Sequence, residues 1–149
     1  MKKLNALFLG TAVLMSSMLA KAEESLPTVM LYKTPACGCC TEWAKHMEKN
    51  GFKVMLHDVP STAMYRAKAG VPQGMESCHT AFIGDYAVEG HVPAADIKRM
   101  LSEKPEGVNG LTVPGMPMGS PGMDYGDRKD AYKVISFNAN GKTSVFASY

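Results

Sequence analysis

Three cysteines within four residues constrain this chain more than any other feature of its sequence. Cys37, Cys39 and Cys40 stand in the run Cys-Gly-Cys-Cys, which is a Cys-x-x-Cys spacing with a further cysteine inside it. A Cys-x-x-Cys pair alone would suggest a thiol–disulfide oxidoreductase. Neighbouring residues on a helix point about 100° apart, so Cys39 and Cys40 diverge. Three sulfurs this close together suit several metal ions with bridging thiolates better than one tetrahedral ion.

The segments around this run predict an α/β fold. Apolar periodicity and turn residues predict strands over 27–33, 52–59, 80–83 and 87–91, and helices over 37–50, 62–68 and 93–103. A parallel strand–helix–strand unit is therefore followed by a short helix, a hairpin and a closing helix. That order, with cysteines at the first strand-to-helix turn, is typical of a thioredoxin-like domain, which we place at residues 23–104.

The composition changes after residue 104. Residues 105–126 are rich in Gly, Pro and Met and show neither helical nor strand periodicity. We therefore expect an ordered loop that wraps the domain, not a core element. A terminal β-hairpin is predicted from strands over 131–137 and 142–148. Residues 105–149 are assigned to a C-terminal extension that contributes to the metal site.

Residues 1–22 are predicted to be a cleaved signal peptide. Lys2 and Lys3 precede an apolar stretch over 4–19, and Ala20-Lys21-Ala22 fits the cleavage pattern. The alternative is an N-terminal membrane anchor, but the apolar stretch is shorter than the roughly 20 residues that a membrane span needs. Export would deliver the chain to the periplasm of a Gram-negative host, where free thiols do not persist by default.

Removal of the signal peptide also changes the charge. Three lysines and no acidic residue leave, so Lys plus Arg falls from 16 to 13 against 14 Asp plus Glu. The formal net charge changes from +2 to −1. Proteins that bind nucleic acid present a much more basic surface, so we expect no nucleic-acid partner. We also expect a monomer that is not bound to the membrane once the signal is cleaved.

The fourth cysteine is expected to lie beside the other three. In thioredoxin-like folds the loop that enters the third strand lies against the Cys-x-x-Cys turn, and here that loop carries Cys78 and His79. We therefore expect Cys37, Cys39, Cys40 and Cys78 to form one metal site. His79 is expected to bind the metal or to support a ligand.

The other histidines are given structural roles. His91 ends the strand predicted over 87–91 and is interpreted as a structural residue, and His46 and His57 are interpreted as surface or packing residues. The sequence contains no Gly-rich phosphate loop, no Ser-His-Asp order and no paired-carboxylate pattern that stands out. Nucleotide binding and hydrolysis are therefore not indicated.

The methionines divide by their surroundings. Met is more often a core residue than a ligand, and we expect core positions for Met30, Met47, Met55 and Met100. Met116 and Met123 stand in the Gly/Pro-rich segment, which offers no core to fill, so both are candidate ligands. Met118 is a weaker candidate. Thiolate and thioether ligands together select Cu(I), which makes copper the expected metal.

Four motifs in this order resemble the CopG-type periplasmic copper-resistance proteins, also catalogued as a domain of unknown function with a CxCC signature. The motifs are residues 37–40, 77–81, 88–94 and 110–123, and the resemblance runs from about Thr28 to Asp124. It implies a thioredoxin-like domain, a role in copper tolerance, and a cysteine-bridged site for more than one Cu(I) ion. The implied partners are copper ions and components of periplasmic copper efflux. The ligands carried over are the four cysteines, with His79, Met116 and Met123 as candidates.

Three functions stay open for this sequence. The first is a periplasmic copper-binding protein that interconverts Cu(I) and Cu(II), which would make it a copper oxidoreductase. The second is a non-catalytic copper chaperone or buffer, and the third is a Dsb-like thiol–disulfide oxidoreductase without metal. Two ordinary disulfides are a further interpretation, which must explain why three cysteines crowd into one helical turn.

Overall fold

The computed structural model describes residues 25–149, and the signal peptide predicted over 1–22 lies outside them. In chain order the described elements are β1 (Val29–Lys33), α1 (Gly38–Lys49), β2 (Val54–Asp58), α2 (Ala63–Ala69), β3 (Thr80–Ile83), β4 (Tyr86–Glu89), α3 (Ala94–Glu103), β5 (Gly110–Thr112), β6 (Lys133–Phe137) and β7 (Thr143–Ser148). The predicted α/β class is confirmed. The thioredoxin-like assignment stays a prediction.

The strands of this region join one sheet in the order β2-β1-β3-β4-β5-β6-β7. β1 is parallel to β2 and β4 is parallel to β5, whereas the other neighbouring strands are antiparallel. A parallel pair needs a long crossover connection, and α1 and α3 supply the two crossovers. The C-terminal extension therefore continues the sheet by three strands.

β5 corrects the expectation that residues 105–126 contain no core element. Gly110, Leu111 and Thr112 are buried between β4 and β6, and Val113 after them is buried as well. A strand of three residues is too short to show a period, and its burial comes from neighbours that are distant in sequence. Gly110 is required there, because a Cβ atom would overlap the carbonyl oxygen of Ala87.

The main core lies between one face of the sheet and the helices α1 and α3. Val29 and Leu31 of β1 face this core and alternate with Met30 and Tyr32, which point to the other face. The helices contribute six buried residues, namely Trp43, Ala44, Met47, Ala94, Ile97 and Met100. Helix α2 covers the other face, where Tyr65 stacks on Tyr32.

The core prediction for the methionines is wrong at two positions, which are Met30, whose side chain points away from the main core, and Met55. Met47 and Met100 are fully buried and Met30 is partly buried, but Met55 is 44% exposed. Met55 lies on β2, which is the edge strand of the sheet and pairs only with β1. An edge position leaves an apolar side chain with fewer neighbours than the alternating pattern implies.

The terminal hairpin is confirmed as β6 and β7, over 133–137 and 143–148. The division of the chain at residue 104 stays a prediction, and the sheet continues across that point. Within residues 25–149, none of the helices combines the length and the apolar character that a membrane crossing requires.

Candidate metal centre

The turn that leads into α1 sets the cysteine run at the start of a helix. The backbone N–H of Cys37 donates to the Thr34 carbonyl oxygen at 3.0 Å, and Pro35 restricts the backbone inside this turn. Because α1 begins at Gly38, Cys37 is its N-cap residue, and the other two cysteines of the run occupy the first turn. The three sulfurs of the run are therefore held within one helical turn.

Cys37 and Cys40 form a disulfide across the Cys-x-x-Cys spacing, with their Cα atoms 5.4 Å apart. Cys39 and Cys78 are free thiols. The Sγ atom of Cys39 lies 3.6 Å from that of Cys37, and the Sγ atom of Cys78 lies 3.5 Å from that of Cys40. Each sulfur of the disulfide therefore has a free thiol beside it.

Cys78 reaches the cluster from the loop before β3, where the sequence interpretation expected it. The Sγ atoms of the four cysteines lie within 4.8 Å of one another, although Cys78 is 38 residues from Cys40. The fold thus brings all four cysteines together. That they bind metal stays a prediction at this point.

Two histidines form a second group of donors around Cys78. The Sγ atom of Cys78 is 3.4 Å from Nδ1 of His79 and 3.0 Å from Nε2 of His91, and both rings are fully buried. These three donor atoms also lie within 4.8 Å of one another. Cys78 belongs to the sulfur group and to this sulfur–nitrogen group, which is the position that a bridging thiolate would take.

The ring of His91 has a fixed orientation. Its Nδ1 donates to the carbonyl oxygen of Pro121 at 2.7 Å, so in the neutral ring Nε2 carries no proton and faces Cys78. Burial lowers the pKa of His91, which favours the neutral ring that a metal ion requires. Burial, and then the charge of Cys39, raise the pKa of Cys78 to about 12. Without metal, Cys78 therefore keeps its proton, and its S–H group donates a hydrogen bond to Nε2 of His91.

His79 carries an unpartnered nitrogen in the interior. Its Nε2 is buried and has no hydrogen-bond partner among residues 25–149, and its ring lies 4.6 Å from the ring of Trp43. Burial, with His91 as a second cause, lowers the pKa of His79 well below its usual value, so this ring is neutral too. If the proton is on Nε2, the lone pair of Nδ1 faces Cys78 and is available to a metal ion.

The structural role given to His91 in the sequence interpretation does not include its contact with Cys78. Continuing the β3–β4 register beyond both strands sets Cys78 opposite His91. The predicted turn contained three residues, whereas Tyr86 already pairs with Ile83 and the turn has two. A turn that is one residue longer shifts the strand register by one residue. The predicted three-residue turn therefore sets a residue other than His91 opposite Cys78.

Residues 115–123, which we call the strap, cross the cluster. The N–H of Gly115 donates to the Glu76 carbonyl oxygen at 2.9 Å, and the Ser77 hydroxyl donates to the Gly115 carbonyl oxygen. At the other end, a Cβ atom on Gly122 would lie 2.7 Å from the Cys39 carbonyl oxygen. The strap therefore contacts the loop that carries Cys78 and the first turn of α1.

Met116 and Met123 lie near the two ends of the strap. Met116 is 53% exposed, whereas Met123 is partly buried and follows Gly122, which packs on α1. A hydrogen bond of 2.9 Å from the Gly119 N–H to the Met123 carbonyl oxygen closes a turn over residues 119–123. The roles of both methionines as copper ligands stay predictions.

Comparisons with known proteins agree on one family. A family model described as "Protein of unknown function, DUF411" matches residues 75–123, which include Cys78, both buried histidines and the strap. No curated protein matches the chain. Two solved structures are titled "Copper resistance protein copG- Form 2" and "Copper resistance protein copG- Form 1", and each is 46% identical to this chain. Form 2 matches over 85% of this chain and 99% of its own, with a TM-score of 0.79, and Form 1 over 83% and 98%, with a TM-score of 0.77.

Proposed function

This chain belongs to the CopG family of copper resistance proteins, and on that premise we propose that its cysteine and histidine cluster binds copper. A copper-related role has two independent supports, which are the titles of the two relatives and the chemistry of the cluster. The proposed role is copper tolerance in the periplasm, to which the predicted signal peptide over 1–22 would deliver the chain.

The donor set is the observation that carries this proposal. Four cysteine sulfurs lie within 4.8 Å of one another, and Cys78 also adjoins two buried, neutral imidazoles. Sulfur donors select soft ions such as Cu(I), whereas Ca²⁺ and Mg²⁺ require oxygen donors. Zinc accepts cysteine and histidine as well, so it is the ion to compare.

The site takes more than one Cu(I) ion, with Cys78 as a bridging thiolate. The support for this count is that Cys78 belongs to both donor groups. Met116 and Met123 complete the ligand set, because Cu(I) accepts thioethers and the strap packs on α1 beside Cys39. Binding displaces the proton that Cys78 carries in the metal-free chain, so affinity rises with pH.

The disulfide supports a redox role. When the thiolates of Cys37 and Cys40 join as a disulfide they release two electrons, which reduce two Cu(II) ions to two Cu(I) ions. Cys39 and Cys78 stay as thiols beside the new bond and are available to the Cu(I) formed. A dithiol reductant restores the reduced pair. The chain would then be a copper oxidoreductase that works with periplasmic efflux components.

Thiol–disulfide exchange is the second candidate function. The Sγ atom of Cys78 is 3.5 Å from that of Cys40, so Cys78 is close enough to attack the disulfide and release Cys37 as a thiolate. For this attack Cys78 must first lose its proton, and Nε2 of His91, at 3.0 Å, is the nearer of the two imidazole nitrogens. A Dsb-like role without copper rests on this contact. A copper chaperone or buffer, which binds without turnover, is the simpler alternative.

Anaerobic Cu(I) titration of the fully reduced chain tests the proposed site. We expect more than one Cu(I) per chain and a smaller number in Cys78→Ser, which lacks the shared sulfur. Met116→Leu should weaken binding, and Met64→Leu is its matched control, because Met64 is also exposed, at 69%, but lies outside the strap. Absence of copper binding, preference for zinc, or an unchanged copper number in Cys78→Ser would reject the proposal.

Addition of Cu(II) to the reduced chain separates the redox role from storage. The electron paramagnetic resonance signal of Cu(II) should disappear, and two thiols should be lost for every two Cu(II) ions reduced. Loss of no thiols leaves a chaperone or buffer. Exchange of the copper-free chain with a disulfide substrate, at a rate that Cys78→Ser abolishes, would favour the Dsb-like function.

A further inference from the structure

An ion pair between the partly exposed Arg66 and the buried Glu89 holds the loop that carries Cys78. Glu89 on β4 is fully buried, and its Oε1 accepts from Arg66 Nε and from the Ser77 backbone N–H, each at 2.8 Å. Its Oε2 accepts from the Thr80 hydroxyl at 2.6 Å. Arg66 Nη2 donates to the Ser77 carbonyl oxygen at 2.7 Å. One ion pair therefore binds both backbone polar groups of Ser77, the residue before Cys78.

The loop over 70–79 lies between α2 and β3 and depends on such contacts for its shape. The Thr112 hydroxyl donates to the Met75 carbonyl oxygen at 2.7 Å, and the Gly115 N–H donates to the Glu76 carbonyl oxygen at 2.9 Å. β5 and the strap thus fix residues 75 and 76. The ion pair fixes the next residue, and with it the direction in which Cys78 leaves the backbone.

A buried ion pair is a weak source of stability, since apolar side chains of similar volume often serve as well or better. The pair of Glu89 and Arg66 instead fixes the orientation of the Ser77 backbone, because a guanidinium and a carboxylate hold hydrogen-bond donors and acceptors at fixed angles. The orientation of the Ser77 backbone in turn sets the position of the next residue, Cys78, whose sulfur lies 3.5 Å from that of Cys40 and 3.0 Å from Nε2 of His91.

We propose that Glu89 and Arg66 are positioning residues for the metal centre, acting through the Ser77 backbone on Cys78. The copper part of this inference rests on the proposed function. Its geometric part does not, because the position of Cys78 relative to Cys40 can be measured by disulfide formation without metal.

The geometric experiment measures how well Cys78 is held beside Cys40. In a chain with Cys37→Ser and Cys39→Ser, the disulfide between the two remaining cysteines is equilibrated against glutathione, which gives the effective concentration of one thiol at the other. Glu89→Ala should lower this concentration by about tenfold or more, on the scale of other supporting groups. Glu89→Gln retains an oxygen acceptor for the loop N–H and should lower it less.

A double substitution separates positioning from stability. Arg66→Met with Glu89→Leu leaves no unpaired charge and keeps the volume, so it should recover part of the stability that Glu89→Ala loses, although the Ser77 backbone and the Thr80 hydroxyl lose their partners. The effective concentration should stay low in this double variant, because nothing then binds the Ser77 backbone. Recovery of the effective concentration in the double variant would overturn the proposal, as would an unchanged value in Glu89→Ala.

The copper experiment uses anaerobic competition for Cu(I) against a coloured chelator. Glu89→Ala should weaken binding by about tenfold or more when Cys78 is present, and should have no further effect in Cys78→Ser. An equal loss in both backgrounds would overturn the proposal. If the unaltered chain binds no copper while Glu89→Ala still lowers the effective concentration, the proposed function fails and the positioning role stands.

Discussion

Cys78 is the residue that links the two donor groups of the candidate metal centre. Its sulfur lies 3.5 Å from Cys40 on the side of the cysteine run and 3.0 Å from His91 on the side of the histidines. A change at Cys78 would separate sulfur donors from nitrogen donors. A change at Cys39, by contrast, would remove one sulfur and leave the junction intact.

The buried histidines predict that the metal-free chain loses stability in acid. Burial lowers the pKa of His79 well below its usual 6.5, and lowers that of His91 as well. Below pH 6.5 the unfolded chain therefore binds protons that the folded chain does not, so stability present at pH 7.5 falls as the pH falls through this range.

Urea denaturation between pH 7.5 and pH 5 measures this loss. His79→Phe replaces the ring by one of similar size that does not titrate, and its unfolding free energy should depend less steeply on pH. A slope equal to that of the unaltered chain would contradict the assignment of the pH dependence to His79.

At the scale of secondary structure, the elements that deliver the site differ in how far sequence predicts them. α1 and the β3–β4 hairpin have clear local patterns, and their existence was predictable from periodicity and turn residues. β5 was not, because three residues cannot show a period and its burial comes from β4 and β6. His91 was missed as a neighbour of Cys78 because the hairpin register depends on a turn one residue shorter than predicted.

Gly122→Ala tests how closely the strap packs on α1. Gly122 and Gly115 both have positive φ, +84° and +70°, so Ala costs about 1–2 kcal/mol of backbone strain at either position. A Cβ atom on Gly122 would lie 2.6 Å from the Trp43 backbone nitrogen, whereas one on Gly115 meets no atom of the described residues within 4 Å. Gly122→Ala should therefore lower the unfolding free energy by about 1–3 kcal/mol more than Gly115→Ala.

Urea denaturation of the two glycine variants gives this difference directly. If the strap also supplies copper ligands, Cu(I) affinity should fall in Gly122→Ala more than in Gly115→Ala. Equal unfolding free energies in the two variants would mean that the strap does not press on α1.

At the scale of the whole molecule, the C-terminal extension and the first four strands form one folding unit. Leu111, Val113 and Val134 of the extension belong to the same core as Val29 and Leu31 of β1. Deletion of residues 105–149 would therefore remove β5 from the sheet and expose that core. We expect the truncated chain not to fold, so point changes in the strap are the better test of its role at the metal centre.

Tyr149 follows the last strand and contacts α3, so its contacts test whether the extension and the rest of the domain form one folding unit. Its hydroxyl donates to Oδ2 of Asp96 at 2.6 Å, and its ring stacks on Tyr132. Tyr149→Phe should lower the unfolding free energy by about 1–3 kcal/mol, because it removes one hydrogen bond to the buried carboxylate of Asp96. Tyr125→Phe is the control, since Tyr125 is 52% exposed and Tyr149 53%. An equal change of the unfolding temperature in both variants would contradict a stabilising role for the hydrogen bond from Tyr149 to Asp96.

The disulfide between Cys37 and Cys40 limits how much metal a sample of this protein can bind. Sulfur atoms joined to each other are not free to hold ions, so a molecule in this form offers only Cys39 and Cys78 of the cysteine cluster. If the cluster holds copper in the cell, protein that is exposed to air during purification would contain less metal than it did there. Metal content and thiol content should therefore be determined on the same aliquot, because oxidation during purification changes both numbers.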